Sequence, residues 1–322
     1  MNVRLKKRKN RFWQNLKNIS EEKSVDGFVF VDKPEGISSF VLAARVRRIF
    51  GEKKSGHTGT LDPMATGVMV IALSGATRFI ELLPDKDKAY KADFLLGTRT
   101  DTLDISGSVL SKSKVNVSKA EVEKVLRGFV GETQQLPPMY SALKKDGVRL
   151  YELARRGESV EREKRKITIS ELTLLSYDES SFSGELCADC SAGTYIRSLI
   201  SDIGEALSCG AVMTALRRTR ANGVPIEKCR TLSQLEKLRE SGRLSEAVTP
   251  VEDFLPFEHL PVTEKQAKRF SNGGGLSLER LRKLCPGRLY CVLSPQGEFL
   301  GVGLADEEKG ILAPRKIMSK NS

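Results

Sequence analysis

The hydrophobic pattern changes period repeatedly along this chain, and each period predicts an element. FVFV, at 28–31, is an unbroken apolar run closed by Lys33-Pro34-Glu35-Gly36, which predicts a short buried strand and a turn. Ser38 or Ser39 can then cap a helix running to Gly51. Val68 to Leu73 is apolar at every position, as a strand buried on both faces requires, whereas Tyr90, Ala92, Phe94 and Leu96 alternate as in a half-buried strand. Ser118 and Glu121 form a capping-box signature ahead of Val122, Val125, Leu126 and Phe129 at helical spacing. Ile196, Leu199, Ile200, Ile203 and Leu207 make one apolar stripe on a second clear helix. Strands and helices intermingle without regular βαβ alternation. The expected fold is therefore α+β, with a large mixed, mostly antiparallel sheet flanked by helices.

The pattern also divides the chain. Residues 1–24 have no sustained period and carry Arg4, Lys6, Lys7, Arg8, Lys9, Arg11 and Lys17 before the first acid, Glu21, so they read as a basic, mobile arm. Residues 25–250 form the main domain. Within it, about 137–166 is basic and poor in apolar residues, as expected of a surface insertion. Around Pro250 to Pro261 the composition turns loop-like, and 251–322 reads as a small β-rich domain. Its clearest feature is a hairpin of LYCVLS and FLGVGLA joined through Pro295-Gln296-Gly297.

Composition narrows the class. The chain has 322 residues, 53 Lys plus Arg against 41 Asp plus Glu, a net charge of +12 and 39% hydrophobic residues, which is too apolar for a wholly disordered chain and suits a polyanionic partner. No apolar stretch approaches the ~20 residues of a membrane-spanning helix, and no apolar core of signal-peptide length follows the basic terminus. The expected location is the cytoplasm, with no membrane association. Six cysteines are too sparse for a disulfide scaffold, which fits a reducing compartment. Cys187 and Cys190 have the spacing of half a zinc site. The chain offers no second such pair and only His57 and His259, and the strand GELCADC would turn the two thiols to opposite faces. No metal or cofactor is expected.

The densest chemical signal is GHTGTLDPMATGVMVIAL, at 56–73, where glycines and a proline place Asp62 on a tight loop just before a buried strand. The segment lacks a nucleotide P-loop ending, and there is no G-x-S-x-G nucleophile motif in the chain. Asp62 can be a nucleophile or a cap for local amides, and Asp62, Asp101 and Asp104 can converge as paired carboxylates. A nucleophilic aspartate that is partly buried needs a cation or hydrogen-bond donors to stay ionised.

Taken in order, DKPEGISS, GHTGTLDPMATGVMVIALSGATR, LLGTRTDTLD, PPMYSALKKDGVRLYELAR, CSAGTYIRSLISDIG and ALRRTRANG resemble the TruB-type tRNA pseudouridine(55) synthases, over about Gly27 to Gly223. The tail, with GEFLGVGLADEEKGILAPRK, is similar to the PUA-like RNA-binding domain that follows in that family. The resemblance implies an enzyme that flips a uridine out of the tRNA T-loop, at tRNA position 55, and rejoins its uracil through C5, without metal or cofactor. It implies Asp62 as the nucleophile, Arg197 as its pairing cation, Tyr90 stacking on the base and Tyr195 as a second pocket tyrosine. His57 would contact the flipped region, Leu216 would be an apolar pocket residue, Lys33 would support the wall, and Asp104 would belong to the loop's hydrogen-bond network. The insertion would act as a thumb on the RNA. From residue type alone, Tyr90 and Leu216 are equally core residues, and Arg197 a surface arginine at a helix end.

Arg45, Arg47 and Arg48, then Lys144, Lys145, Arg149, Arg155 and Arg156, then Arg217, Arg218 and Arg220 are candidate phosphate partners. The expected partner is tRNA, with the protein monomeric and without an obligatory protein partner, since the compact tail argues against a guided multi-protein relative. The alternative is a non-catalytic tRNA-binding protein or RNA folding chaperone on the same scaffold.

Overall fold

The computed structural model describes residues 25–83, 86–158, 160–281 and 284–318, and the basic arm at 1–24 lies outside the described residues. Nine strands form the main sheet: β1 (Gly27–Lys33), β2 (Ser55–His57), β3 (Thr66–Leu73), β4 (Lys88–Leu96), β5 (Gly131–Gln135), β6 (Arg165–Asp178), β7 (Ser183–Cys190), β8 (Ala211–Ala221) and β9 (Val224–Pro225). Their order is β1-β3-β8-β4-β7-β6-β5, with β2 also pairing β3 and β9 pairing β8. Every ladder is antiparallel except β3 with β8, where Arg217 and Arg218 face Thr66 and Gly67. The sheet is mixed and mostly antiparallel, as the pattern predicts.

Both strand periods are explained by what covers them. One face of the sheet carries α1 (Ser39–Phe50), α2 (Lys119–Arg127), α4 (Ile196–Ala206) and α5 (Leu232–Glu240), while the short α3 (Leu150–Arg155) lies in the insertion. Leu42, Val46, Val122, Leu126, Ile196, Ile200 and Leu235 bury against Met69, Ile71, Leu73, Tyr90, Ala92, Phe94 and Leu96. On the other face, Phe28, Val68, Val70 and Ala72 meet Phe79, Val251, Leu255, Cys291 and Val302. β3 thus has a core on each side and reads as a continuous apolar run, whereas β4 has one and alternates. Ser38 caps α1 by accepting from the Val41 amide, and Gly51 closes it in a left-handed conformation. Ser118 and Glu121 form the expected capping box.

The second sheet has the order β10-β12-β13-β14-β11, with β10 (Glu258–Pro261), β11 (Leu276–Ser277), β12 (Leu289–Leu293), β13 (Phe299–Asp306) and β14 (Ile311–Ile317). The hairpin read from the sequence is β12 and β13. Helix α7 (Glu264–Ser271) packs Phe270 into this sheet's own core. Residues 250–261 are more ordered than their composition suggests. They contain α6 (Val251–Phe254) and β10, which pairs in parallel with β12. Burial supplies the reason: the Phe254 ring packs on Phe28 and Phe30 with centroids 4.9 and 5.1 Å apart. Phe79, in the helical turn Ser74–Leu82 that follows β3, and Phe299, at the start of β13, lie 5.3 Å apart and join the two parts of the chain. No helix among the described residues is long and apolar enough to cross a membrane.

The parallel step between β3 and β8 depends on Gly67, which has φ 104° and sits where a Cβ would lie 2.1 Å from the Arg218 carbonyl oxygen. Both the backbone conformation and the space exclude a side chain. Gly67→Ala is expected to destabilise the fold by at least about 2 kcal/mol, read as a lowered midpoint in thermal or denaturant unfolding.

Candidate active site

Residues 58–65 connect β2 to β3 and are tied to the fold almost entirely through their own backbone. The buried Ser39 hydroxyl donates to the Leu61 carbonyl (2.9 Å) and accepts from the Leu61 amide (2.8 Å). Fully buried Lys33 donates to the carbonyls of Pro34, Pro63 and Ala65, at 3.0, 3.1 and 2.6 Å. From β8, Arg218 donates to the carbonyls of Val68 (2.8 Å), Gly59 (3.2 Å) and Thr60 (3.5 Å). The Ala65 amide closes the turn onto the Asp62 carbonyl at 3.1 Å. None of these bonds uses the Asp62 side chain.

That side chain faces Arg197. Its Oδ2 lies 3.0 Å from Arg197 Nε, and while Arg197 is only 5% exposed the carboxylate is 36% exposed, so it is held by a buried cation yet open to a ligand. The same guanidinium approaches Asp104 Oδ2 at 3.5 Å and donates to the carbonyls of Thr102 (2.9 Å) and Tyr140 (2.8 Å). Asp104 is fixed in turn by the Thr102 hydroxyl (2.8 Å) and the Ser106 amide (3.0 Å). Arg197 therefore joins the 58–65 loop, the turn after β4 and the root of the insertion. Asp101 does not converge with them. It is exposed and accepts from the Ser108 amide at 2.8 Å.

Asp62 opens into a cavity of about 280 Å³ also lined by Lys88, Tyr90, Leu143, Tyr195, Arg197 and Leu216. Tyr90 and Leu216 reach it from adjacent strands, β4 and β8. Tyr195 sits at the start of α4, where the buried Gln135 side chain brackets its backbone, accepting from its amide (2.8 Å) and donating to its carbonyl (3.0 Å). Burial pushes the Asp62 carboxyl above its ordinary value, an effect opposed by Arg197 and Lys33 and reinforced by Asp104. Burial lowers Lys33 to about 8 despite the nearby Asp62. The Tyr90 and Tyr195 phenols are raised, again chiefly by burial.

Five residues singled out from the sequence, Asp62, Tyr90, Tyr195, Arg197 and Leu216, thus line one cavity. Lys33 and Asp104 stand behind its wall. His57 stands apart on β2, opposite Ile71, with its Nδ1 buried and unbonded and its basicity lowered by burial and by Arg218. Three of the arginines expected to meet phosphate are already engaged. Arg218 is 1% exposed, Arg217 pairs with Asp32 at 2.8 Å, and Arg220 pairs with Asp189 at 2.9 Å. Strand alternation next to a buried loop turns Arg218 inward, which residue type alone does not disclose. Arg45, Arg47 and Arg48 on α1 are exposed, as are Lys144, Lys145, Arg149, Arg155 and Arg156 in the insertion. Cys187 is half-buried and Cys190 buried, all six cysteines are free, and the described residues contain no metal-binding cluster.

Ser39, Gln135, Arg218 and Lys88 are the members that sequence reasoning passes over as site residues. Ser39 is legible only as an alternative cap for α1, and Lys88 only through its two-residue offset from Tyr90 on the same strand face.

Residues 47–196 match the N-terminal domain of the TruB family pseudouridylate synthases, and residues 197–256 match the tRNA pseudouridylate synthase B C-terminal domain. The tRNA pseudouridine synthase B of Pseudomonas fluorescens (strain Pf-5) is 41% identical over 301 residues, covering 92% of this chain and 96% of that protein. That of Dechloromonas aromatica (strain RCB) is 42% identical over 302 residues, with the same coverage of 92% and 96%. Among solved structures, a chain of the archaeal box H/ACA sRNP Nop10–Cbf5 complex shares the fold with a TM-score of 0.66 and 24% identity, over 91% of this chain and 86% of that one.

Because the Ser39 hydroxyl satisfies both the amide and the carbonyl of Leu61, Ser39→Ala leaves two buried backbone groups unpaired beside Asp62. Denaturant unfolding is expected to register a loss of about 1–3 kcal/mol.

Proposed function

The chain belongs to the TruB family of pseudouridylate synthases, and from that membership we propose that it isomerises a uridine of tRNA to pseudouridine, at position 55 in the T-loop, with Asp62 as nucleophile. The observation that carries the role of Asp62 is its carboxylate, which opens into an aromatic-walled cavity while its other side is ion-paired to a nearly buried arginine at 3.0 Å.

The chemistry places clear demands on such a site. The C1′–N1 bond of the nucleoside must break and a C1′–C5 bond form, the proton at C5 being lost and N1 regaining one. Substrate and product are isomers, so the reaction requires no group donor. A stacked uridine is out of reach until it is extruded, at a cost of a few kcal/mol that pocket contacts must offset. Tyr90 and Tyr195 provide aromatic surface for the extruded base, and Leu216 apolar contact. A cavity of about 280 Å³ suits one nucleoside rather than a longer segment of chain. Arg197 favours the charged form of Asp62 against burial, and Asp104 and two carbonyls keep the guanidinium in place. His57 lies on the strand that leads into the 58–65 loop, a position suited to contact with displaced RNA rather than with the reacting base.

The exposed cations of α1 and of the insertion offer phosphate contacts, so affinity for tRNA falls with salt. The protein acts as a monomer in the cytoplasm, without an obligatory protein partner.

Purified protein incubated with an unmodified tRNA transcript is expected to yield pseudouridine at position 55, mapped by nucleotide. Asp62→Asn should abolish product while leaving the tRNA Kd within about threefold of wild type, because the amide keeps the shape but cannot attack. Retained turnover in that variant would remove Asp62 from the mechanism, and wild-type binding without any product would favour the chaperone reading. The reactive form is the carboxylate and burial raises its pKa in the folded protein, so activity should be lost as pH falls through a value above the ordinary carboxylate range. A single-turnover pH–rate profile measures that limb.

A further inference from the structure

The wall of the cavity holds a second cation with no assigned role. Lys88 opens β4 two residues before Tyr90 and so points to the same face. It lines the cavity, is partly buried, and among the described residues has no hydrogen-bond or ion-pair partner. Behind it is Arg218, whose donors are spent on the carbonyls of Gly59, Thr60 and Val68, and which faces no carboxylate among the described residues. The two cations meet at Gly59, where an added Cβ would lie 3.5 Å from Lys88 Cε and 3.6 Å from Arg218 Nη1. Burial and Arg218 both work against the charge on Lys88, while Cys190 and Asp87 favour it, and the net effect is a lowered pKa. Asp62 does not balance it, being engaged by Arg197.

The cavity wall therefore carries charge of both signs. Asp62 is paired there with Arg197, whereas Lys88 lines it with Arg218 behind and, among the described residues, without an ion-pair partner. Burying an ammonium without an anion is costly, and a ligand carrying one removes that cost. A mononucleotide unit of RNA has the matching shape, with a neutral base and sugar and a single negative charge on each flanking phosphodiester. We propose that Lys88, backed by Arg218, binds a phosphodiester adjacent to the extruded uridine and so fixes the nucleotide's position relative to Asp62. This rests on the RNA-modifying reading above. The lysine suits the task because its ammonium is a compact point charge with three donors, able to follow a phosphate as the nucleotide swings in.

The test is a cycle between protein and RNA, measured as equilibrium binding in an Asp62→Asn background so that the RNA stays unreacted. The RNAs are a T-arm stem-loop and two copies of it, each with one neutral methylphosphonate in place of the phosphodiester on the 5′ or the 3′ side of the target uridine. Lys88→Gln is expected to weaken binding of the native RNA about tenfold and to reduce the slope of log Kd against log salt by about one. On one of the two methylphosphonate RNAs it should add less than about twofold, because the charge it would meet is already gone. Thermal unfolding of Lys88→Gln should match or exceed that of its parent, since the ammonium it removes is partly buried and has no hydrogen-bond or ion-pair partner among the described residues. Lys88→Arg, which keeps the charge, should retain the difference between native and neutral RNA, and it carries the test if the glutamine variant fails to fold. Penalties that multiply on both neutral RNAs, or native-RNA binding unchanged by Lys88→Gln, would overturn the assignment. Conversion of the native stem-loop by the wild-type enzyme is scored separately, so a failure of the proposed reaction is distinguishable from a failure of the phosphate site.

Discussion

A guanidinium taken almost wholly out of water organises this molecule. Arg197 is 5% exposed, and such a charge is tolerable only with its donors satisfied and its charge matched. Asp62, Asp104 and the carbonyls of Thr102 and Tyr140 do both. In the folded chain the start of the helix at Ile196 is thereby tied to three segments distant in sequence. The arrangement is also asymmetric in a useful way. Asp104 is sealed in by its own turn, whereas Asp62 keeps one side toward the cavity.

The loop bearing Asp62 is held from beneath by two further buried cations, Lys33 and Arg218, each bonded to backbone carbonyls rather than to carboxylates. Carbonyl ligation fixes the path of the chain while leaving the side chains on its upper surface free. It also leaves positive charge under the loop, and Lys33 offsets part of the cost of ionising Asp62.

The C-terminal sheet reaches this arrangement only indirectly. Its strands bury Cys291 and Val302 against the face of β1 and β3 opposite the helices, with Phe79 and Phe299 in contact at the junction. β3, which continues directly from the 58–65 loop, is thereby packed on both faces, and the loop is anchored to one of the least exposed strands of the chain.

Local elements were readable because local physics determines them. The unbroken run at 68–73 required burial on both faces, the alternation at 90–96 required one, and the Ser118–Glu121 box and the stripe from Ile196 predicted α2 and α4 with little error. Asp62 could be singled out because glycines and a proline crowd around it, and Tyr90, Tyr195, Arg197 and Leu216 followed from the resemblance to a known family. Tertiary structure alone decided which charges stay exposed and which are consumed inside. Arg217, Arg218 and Arg220 look alike in sequence, yet one pairs with Asp32, one vanishes under the loop and one pairs with Asp189. Tertiary structure also turned Pro250–Pro261 from apparent loop into helix and strand, and gave Ser39 and Gln135 backbone partners far along the chain. The reason is common to all of these. Periodicity records how much of a residue is buried, whereas the partner of a buried polar group is set by distant segments that only the folded chain brings within 3 Å or so.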